Sequence, residues 1–209
     1  MKTNFISVKK ETPRLFANNI LDALSRVHPV TPLILYLPVI AYLIYKSYIT
    51  NISLVSGILL FLLGCFIWTI NEYLLHRFVF HFISPNPFIQ KLHFILHGVH
   101  HDYPNDPKRL VMPPSASIPL AILFYYFYSL FLKGNIFPFY AGFLIGYLAY
   151  DMSHYLIHHS NFKNSYFRLI KDRHMKHHYL DQKTQYGVTS SIWDNVFGTP
   201  GSINKTENQ

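Results

Sequence analysis

LVSGILLFLLGCFIWTINEYLLHRFVFH, residues Leu54 to His81, decides the fold class. Its first charged residue is Glu72, and no charge occurs anywhere from Tyr48 to Asn71. A helix needs roughly 20 mostly apolar residues to cross the hydrocarbon of a bilayer, so this stretch predicts a membrane span. The same stretch runs out into two histidines, His76 and His81. It therefore raises two questions: how many such spans the chain holds, and what imidazoles do where one of them emerges.

Three further stretches are long and free of charge: Val30 to Tyr45, Leu110 to Leu132 and Gly134 to Tyr150. They predict, with the first, four transmembrane helices near residues 30–50, 52–73, 114–133 and 135–156. The shorter two reach full length if Lys46 and Asp151 sit near the interfaces. Composition agrees: half of the 209 residues are hydrophobic and 13% are charged, against about 25% charged in soluble domains. Cys65 is the one cysteine, which excludes an internal disulfide and a thiolate-rich metal site. No short apolar stretch with a cleavage site opens the sequence, so no signal peptide is expected.

The formal charge of +8 is explained by where the basic residues fall. With four spans, Lys9, Lys10, Arg14, Arg26, Arg77, Lys91, Lys108, Arg109, Lys163, Arg168, Lys171, Arg173, Lys176 and Lys183 share one side, and the other keeps only Lys46 and Lys133. Lys/Arg bias in short loops marks the cytoplasmic face. The basic residues form no single patch interleaved with aromatics, so a nucleic-acid partner is excluded. The expected fold is an all-α integral membrane protein, with four transmembrane helices and a cytoplasmic helical cap holding a histidine-rich dimetal site. Its parts are a cytoplasmic or interfacial segment over 1–29, a membrane domain over 30–200 whose cap is residues 82–113 and 160–200, and a polar tail over 201–209.

The histidines follow the same asymmetry. Of thirteen, all the clustered ones fall on the predicted cytoplasmic side. Residues three and four apart share a helix face, so His97, His100 and His101 project together within the apolar pattern KLHFILHGVHH (91–101). His174, His177 and His178 repeat the arrangement, and His154 pairs with His158. His76 and His81 are five apart, about 140° around an ideal helix; they serve one site only if the helix bends there or the rings straddle two metals. Asn86-Pro87 reads as an N-cap followed by proline at the first helical position, which starts the loop helix. His28, His93 and His159 fit no shared pattern and are set aside.

Ten imidazoles exceed the capacity of one ion and divide into two sets of about five. Imidazole suits iron, zinc, copper and nickel, and the spacing does not choose among them. Glu72, Asp102, Asp151 and Asp181 lie near the clusters as partners for ring N–H groups or as ordinary interfacial charges. Tyr103 and Arg109 are within reach of a lipid headgroup. A ligating ring must be unprotonated, so metal binding should weaken towards about pH 6.

HRFVFH (76–81), HGVHH (97–101), HYLIH (154–158) and HMKHH (174–178) resemble the histidine boxes of the membrane-bound fatty acid hydroxylase superfamily. KRLVMPP (108–114) and YGVTSSIWDNVFGT (186–199) are similar to signatures of its fatty acid 2-hydroxylase branch. The resemblance covers about Trp68 to Thr199. It implies that His76, His81, His97, His100, His101, His154, His158, His174, His177 and His178 ligate two metal ions, with iron doing the chemistry and zinc filling the sites in isolated protein. It also implies O2 as co-substrate, with one oxygen atom inserted at C2 of a long acyl chain, free or in a ceramide-like lipid. Family members with a fused haem domain carry His-Pro-Gly-Gly; here His28-Pro29 is followed by Val30-Thr31. A separate electron carrier, cytochrome b5-like or ferredoxin-like, is therefore expected. The membrane is that of the endoplasmic reticulum in a eukaryotic host and the cytoplasmic membrane in a bacterial one. The rival readings are another lipid oxidase of the superfamily (a sterol or carotenoid hydroxylase, or a desaturase), a non-catalytic protein stabilised by zinc, and a metal transporter. A transporter would place ligands at mid-membrane, not at one face.

Overall fold

A computed structural model describes residues 6–7, 9–82 and 84–201. Most of the expected tail, from 202 onward, and residues 1–5 and 8 of the expected N-terminal segment lie outside the described residues. Among those described, every regular element is helical. They are α1 (Asn19–Leu24), α2 (Thr31–Ile49), α3 (Leu54–Leu75), α4 (Pro87–His93), α5 (Val99–Asp102), α6 (Pro114–Leu132), α7 (Ile136–His159), α8 (Ser165–Tyr179) and α9 (Ile192–Val196). Two π-helical turns interrupt them, His76–Phe80 after α3 and Phe94–Gly98 between α4 and α5.

Three stretches are long and apolar enough to cross a membrane: Thr31–Ile49, Leu54–Phe80 and Pro114–His159. The third contains both α6 and α7, joined by a tight turn at Lys133–Asn135 where Lys133 takes φ 47°. The chain doubles back there, because Phe124 meets Phe143 at 5.3 Å and Tyr128 meets Phe139 at 5.0 Å. The Tyr140 hydroxyl also donates to the carbonyl of Ala121. Outward-facing Ile34, Leu59, Leu62, Leu123 and Leu130 are exposed. Apolar patches of this extent mark an interaction surface, and a lipid environment covers all of them at once.

Between helices in lipid there is little hydrophobic driving force, so close packing and hydrogen bonds must hold the bundle. α7 is the central helix and is buried along most of its length. Its contact with α3 is backbone on backbone. A Cβ on Gly64 would sit 1.9 Å from the Phe139 carbonyl oxygen, and one on Gly142 would sit 1.9 Å from that of Phe61. Any side chain at either position would force the two helices apart. One turn further on, Trp68 fills the seam, edge-on to Phe143 and Tyr147 at 5.1 and 5.3 Å.

The remaining helices gather around the C-terminal ends of α3 and α7. Asn86 caps α4 by accepting from the Phe88 N–H at 2.9 Å, as the sequence predicts. The loop helix is not regular, however: the π turn at 94–98 breaks it before α5. α8 starts on Asn164, which accepts from the Tyr166 and Phe167 N–H groups. α9 folds back onto α3, where the Trp193 indole donates to Thr69 Oγ1 at 2.9 Å. The N-terminal residues cross over the loop as a strap, tied by Val27 N–H to the Lys108 carbonyl at 2.9 Å and by Thr12 Oγ1 to Asp106 at 2.7 Å.

Candidate metal centre

The ten patterned histidines meet in two sets of five. His76, His81, His97, His101 and His177 form one, and His100, His154, His158, His174 and His178 the other; within each set the donor atoms all lie within 4.8 Å of one another. The close approaches between these rings are Nε2 to Nε2. In the first set the distances are 3.1 Å (His76–His97), 3.2 Å (His81–His76), 3.0 Å (His101–His97) and 3.0 Å (His177–His81). In the second they are 2.9 Å (His154–His100), 2.9 Å (His174–His158) and 3.1 Å (His178–His174). Donors held ~2.1 Å from an ion and at right angles to each other would be about 3.0 Å apart. The stacked rings of His101 and His178, 4.1 Å between centroids, put the two sets side by side.

The partition differs from the one the spacing suggests. His97, His100 and His101 do not point together: His97 and His101 enter the first set and His100 the second. The α8 triplet divides likewise, His177 to the first and His174 with His178 to the second. Residues three apart on a helix are offset by about 60°, enough to aim neighbouring rings at adjacent centres. His76 and His81 do serve one set, because the helix between them is a π turn. The His81 N–H donates to the His76 carbonyl at 3.1 Å, and this i to i+5 bond brings a five-residue spacing onto one face.

Tautomers are set by backbone carbonyls. His76 Nδ1–H donates to the Tyr186 carbonyl at 2.5 Å, His154 Nδ1–H to that of Leu110 at 3.1 Å and His177 Nδ1–H to that of Thr184 at 2.6 Å. With the proton on Nδ1, each Nε2 turns a lone pair into its set. Two such lone pairs facing each other cannot form a hydrogen bond. A cation between them resolves the conflict, so the donor set fits metal ions.

Burial, and after it the neighbouring imidazoles, push the rings of His97, His100, His101, His174 and His178 well below the ordinary histidine range. Burial takes His81 down to about 2 and His177 to about 4, with the Thr184 carbonyl opposing it at His177. These rings are neutral at pH 7, as ligation requires. The expected weakening towards pH 6 is therefore moved lower, because a buried imidazolium is poorly solvated.

Three of the four acids act one step further from the rings than the sequence suggests. Glu72 accepts from Val188 N–H, Thr189 N–H and Thr189 Oγ1 at 2.7, 2.8 and 2.6 Å. It thereby fixes the segment whose Tyr186 carbonyl receives His76. Asp151 accepts from Met112 N–H at 3.3 Å, two residues past the Leu110 carbonyl that receives His154. Asp181 accepts from Lys183 N–H and Thr184 Oγ1, shaping the turn that offers the Thr184 carbonyl to His177. Asp102 follows His101 and contributes a main-chain carbonyl to Ser7 N–H at 2.8 Å.

Tyr103 ends α5, its N–H donating to Val99 at 2.9 Å. Arg109 is turned inward, its side chain 3% exposed, with Asp106 at 3.3 Å, the Pro13 carbonyl at 2.6 Å and Ser25 Oγ at 3.1 Å. Those partners engage its guanidinium while Arg109 also lines the cavity beside the histidines. His93 lies beside the first set, 6.3 Å from His81 between ring centroids, and His28 is exposed.

One residue missed by sequence reasoning organises the C-terminal part of the site. Asp194 is fully buried and accepts from Tyr186 N–H, Gly187 N–H and Thr199 Oγ1 at 2.9, 3.0 and 2.9 Å, with Arg173 at 3.1 Å. It lies inside the YGVTSSIWDNVFGT stretch, which is the signal that could have found it.

A cavity of about 600 Å³ opens beside both sets. His97, His100 and His154 line it together with the apolar Leu75, Leu120 and Phe124. Its size falls within the range of small-molecule sites.

The fatty acid hydroxylase family profile matches residues 61–199. The ceramide very long chain fatty acid hydroxylase scs7 of Schizosaccharomyces pombe is 37% identical, over 88% of this chain and 54% of its own length. The dihydroceramide fatty acyl 2-hydroxylase FAH1 of Arabidopsis thaliana is 35% identical, over 91% of this chain and 81% of its own. The human fatty acid 2-hydroxylase is 36% identical, over 89% and 56%. The chain thus spans about half the length of the fission yeast and human relatives. The solved structure described as full length scs7p, with only the hydroxylase domain visible, superposes with a TM-score of 0.82 at 36% identity, over 88% of this chain and 70% of that one. Histidine spacing, helical architecture and these likenesses agree, and the chain belongs to the fatty acid hydroxylase family.

Proposed function

We propose that this protein hydroxylates C2 of a long acyl chain, free or carried in a ceramide-like lipid, at a centre of two metal ions. One observation carries the reading: two adjacent sets of five Nε2 donors border a largely apolar cavity, which His97, His100 and His154 help to line. Each set is one ion's ligand shell, and the working metal is iron, with zinc filling the same positions in isolated protein. When bound, the ions supply the activation of O2 that no side chain provides unaided.

The chain's own residues do the rest. Ten neutral rings hold the cations without cancelling their charge. The carbonyls of Tyr186, Leu110 and Thr184 keep three of those rings in the metal-binding tautomer. Leu75, Leu120 and Phe124 hold the acyl chain out of water, so that the carbons nearest the carbonyl lie beside the histidines. Regioselectivity is then a matter of depth.

In this reading α2, α3, α6 and α7 each cross the bilayer, with the metal centre on the cytoplasmic face, where the Lys/Arg excess lies. The host membrane is the endoplasmic reticulum in a eukaryote. Electrons come from a separate cytochrome b5-like or ferredoxin-like carrier.

Lipid mass spectrometry of cells expressing the wild type and His177→Ala tests the proposal. The expected result is one added oxygen at C2 of acyl chains, lost in the variant. Unaltered acyl chains in iron-replete cells with a competent donor would overturn it.

A further inference from the structure

The N-terminal strap carries a feature that the metal centre does not explain. α1 is inverted for a surface helix: its acid, Asp22, is buried, whereas Ile20, Leu21 and Leu24 are 71%, 50% and 56% exposed. A six-residue helix has no stability of its own, so this one is held by its anchors. Asp22 accepts from Leu15 N–H at 2.7 Å and Phe16 N–H at 3.3 Å and pairs with Arg26. Arg109 reaches the strap at Pro13 and Ser25 and lies 3.9 Å from Asp22.

The apolar side of α1 has a destination. Phe16, Leu21 and Leu24 line the same cavity as His97, His100 and His154. The strap is also linked to the centre through Arg109, which bonds to it at Pro13 and Ser25 and immediately precedes Leu110, whose carbonyl receives His154. Leu120, Leu123 and Phe124 of α6 line the same cavity, and Leu123 is itself 63% exposed. One cavity therefore joins the exposed side of α6, the histidines and the strap.

We infer that Phe16, Leu21 and Leu24 form a specificity-determining wall against the acyl lipid beside its reacting end, with Arg109 as the positioning residue that holds the wall in place. This rests on the 2-hydroxylase reading for the identity of the lipid. On this inference a lipid's second chain lies against the strap, whereas a single-chain acid leaves that part of the cavity unfilled. Narrowing the cavity at the strap should select against the bulkier lipid.

The test compares wild type, Leu24→Trp and Leu21→Trp in membranes supplied with a two-chain ceramide-like amide or the matching single-chain fatty acid. Leu24→Ala, which removes bulk at an exposed position, guards against loss through misfolding. The expected result is a fall of roughly tenfold in the amide-to-acid ratio of kcat/KM for the Trp variants, the scale of one apolar contact made or lost. It should be expressed mainly in KM, and Leu24→Ala should move the ratio the other way. A photoreactive ceramide-like amide, with a diazirine near the carbonyl end of its acyl chain, should label the peptide containing residues 16–24. An unchanged ratio in all three variants, or label confined to α3 and α6, overturns the inference. If the wild type oxidises neither lipid, the 2-hydroxylase reading fails and the labelling result alone decides the strap's role.

Discussion

The two sets of histidines reach similar geometry by different routes. Four of the five rings in the second set come from regular helices as i, i+4 pairs, His154 with His158 on α7 and His174 with His178 on α8. In the first set only His177 comes from a long regular helix, α8. His76 and His81 flank a π turn, His97 lies in another, and His177 depends on a carbonyl offered by an exposed turn. A regular helix fixes ring direction by its own hydrogen bonds. A π turn and a loop need outside support, which Glu72 and Asp194 provide by fixing residues 186–189. The second set is therefore framed by helices and the first by the C-terminal segment packed against α3.

The largest effect that could break this comparison comes from removing a ring from each set. On the two-ion reading, His101→Ala and His174→Ala should each reduce metal content from about two ions per chain towards one, and each should abolish product. Elemental analysis of purified protein reads the stoichiometry. Loss of both ions from either variant would show that the sets do not act as separate ligand shells.

Asp194→Ala comes next. Breaking a buried ion pair by removing one partner costs about 3–5 kcal/mol, and here Arg173 and two main-chain N–H groups lose their acceptor. Thermal denaturation should show that loss. Metal retention in the damaged protein should fall first in the set containing His76 and His177, which a second measurement on an Asp194→Ala/His174→Ala double variant would separate.

Acid gives a smaller, graded effect. Burial pushes the His177 ring down to about 4, below the roughly 6.5 of a free histidine. Between those values the unfolded chain takes up a proton that the folded ring refuses, so stability falls as pH falls through that window. The slope is about 1.4 kcal/mol per pH unit for this ring, fully developed by pH 4. Metal-free protein followed by circular dichroism from pH 7.5 to 4 should lose stability in that direction. A curve flat across the window would contradict the burial that separates these rings from water.

The smallest expected effect is that of Tyr186→Phe. His76 is held by the Tyr186 main-chain carbonyl, which the substitution leaves in place. Stability should change by no more than about 1 kcal/mol, with metal content unaltered. A large loss of metal would move the support of the first set from the backbone to the side chain.

Much of this molecule is legible in its sequence. Uncharged runs such as Tyr48 to Asn71 can only be satisfied by lipid or a core, and the i, i+4 spacing of His154 with His158 survives folding because the α-helix is a local structure. The identity of the ten converging rings was legible for the same reason. The allotment of His97, His100 and His101 to two sets was not, because it depends on which neighbouring element each ring faces. Nor was the π turn that reconciles His76 with His81: its extra residue is tolerated through packing against the rest of the site. The carbonyl partners of the rings, the inward turn of Arg109 and the central role of Asp194 lay beyond sequence reach as well. Each joins residues distant in the chain, and periodicity reports only what lies within a few turns of one helix. The sequence determined which groups exist and which side of each helix they occupy; tertiary packing decided which of them meet, because direction across a gap is set by both of its walls.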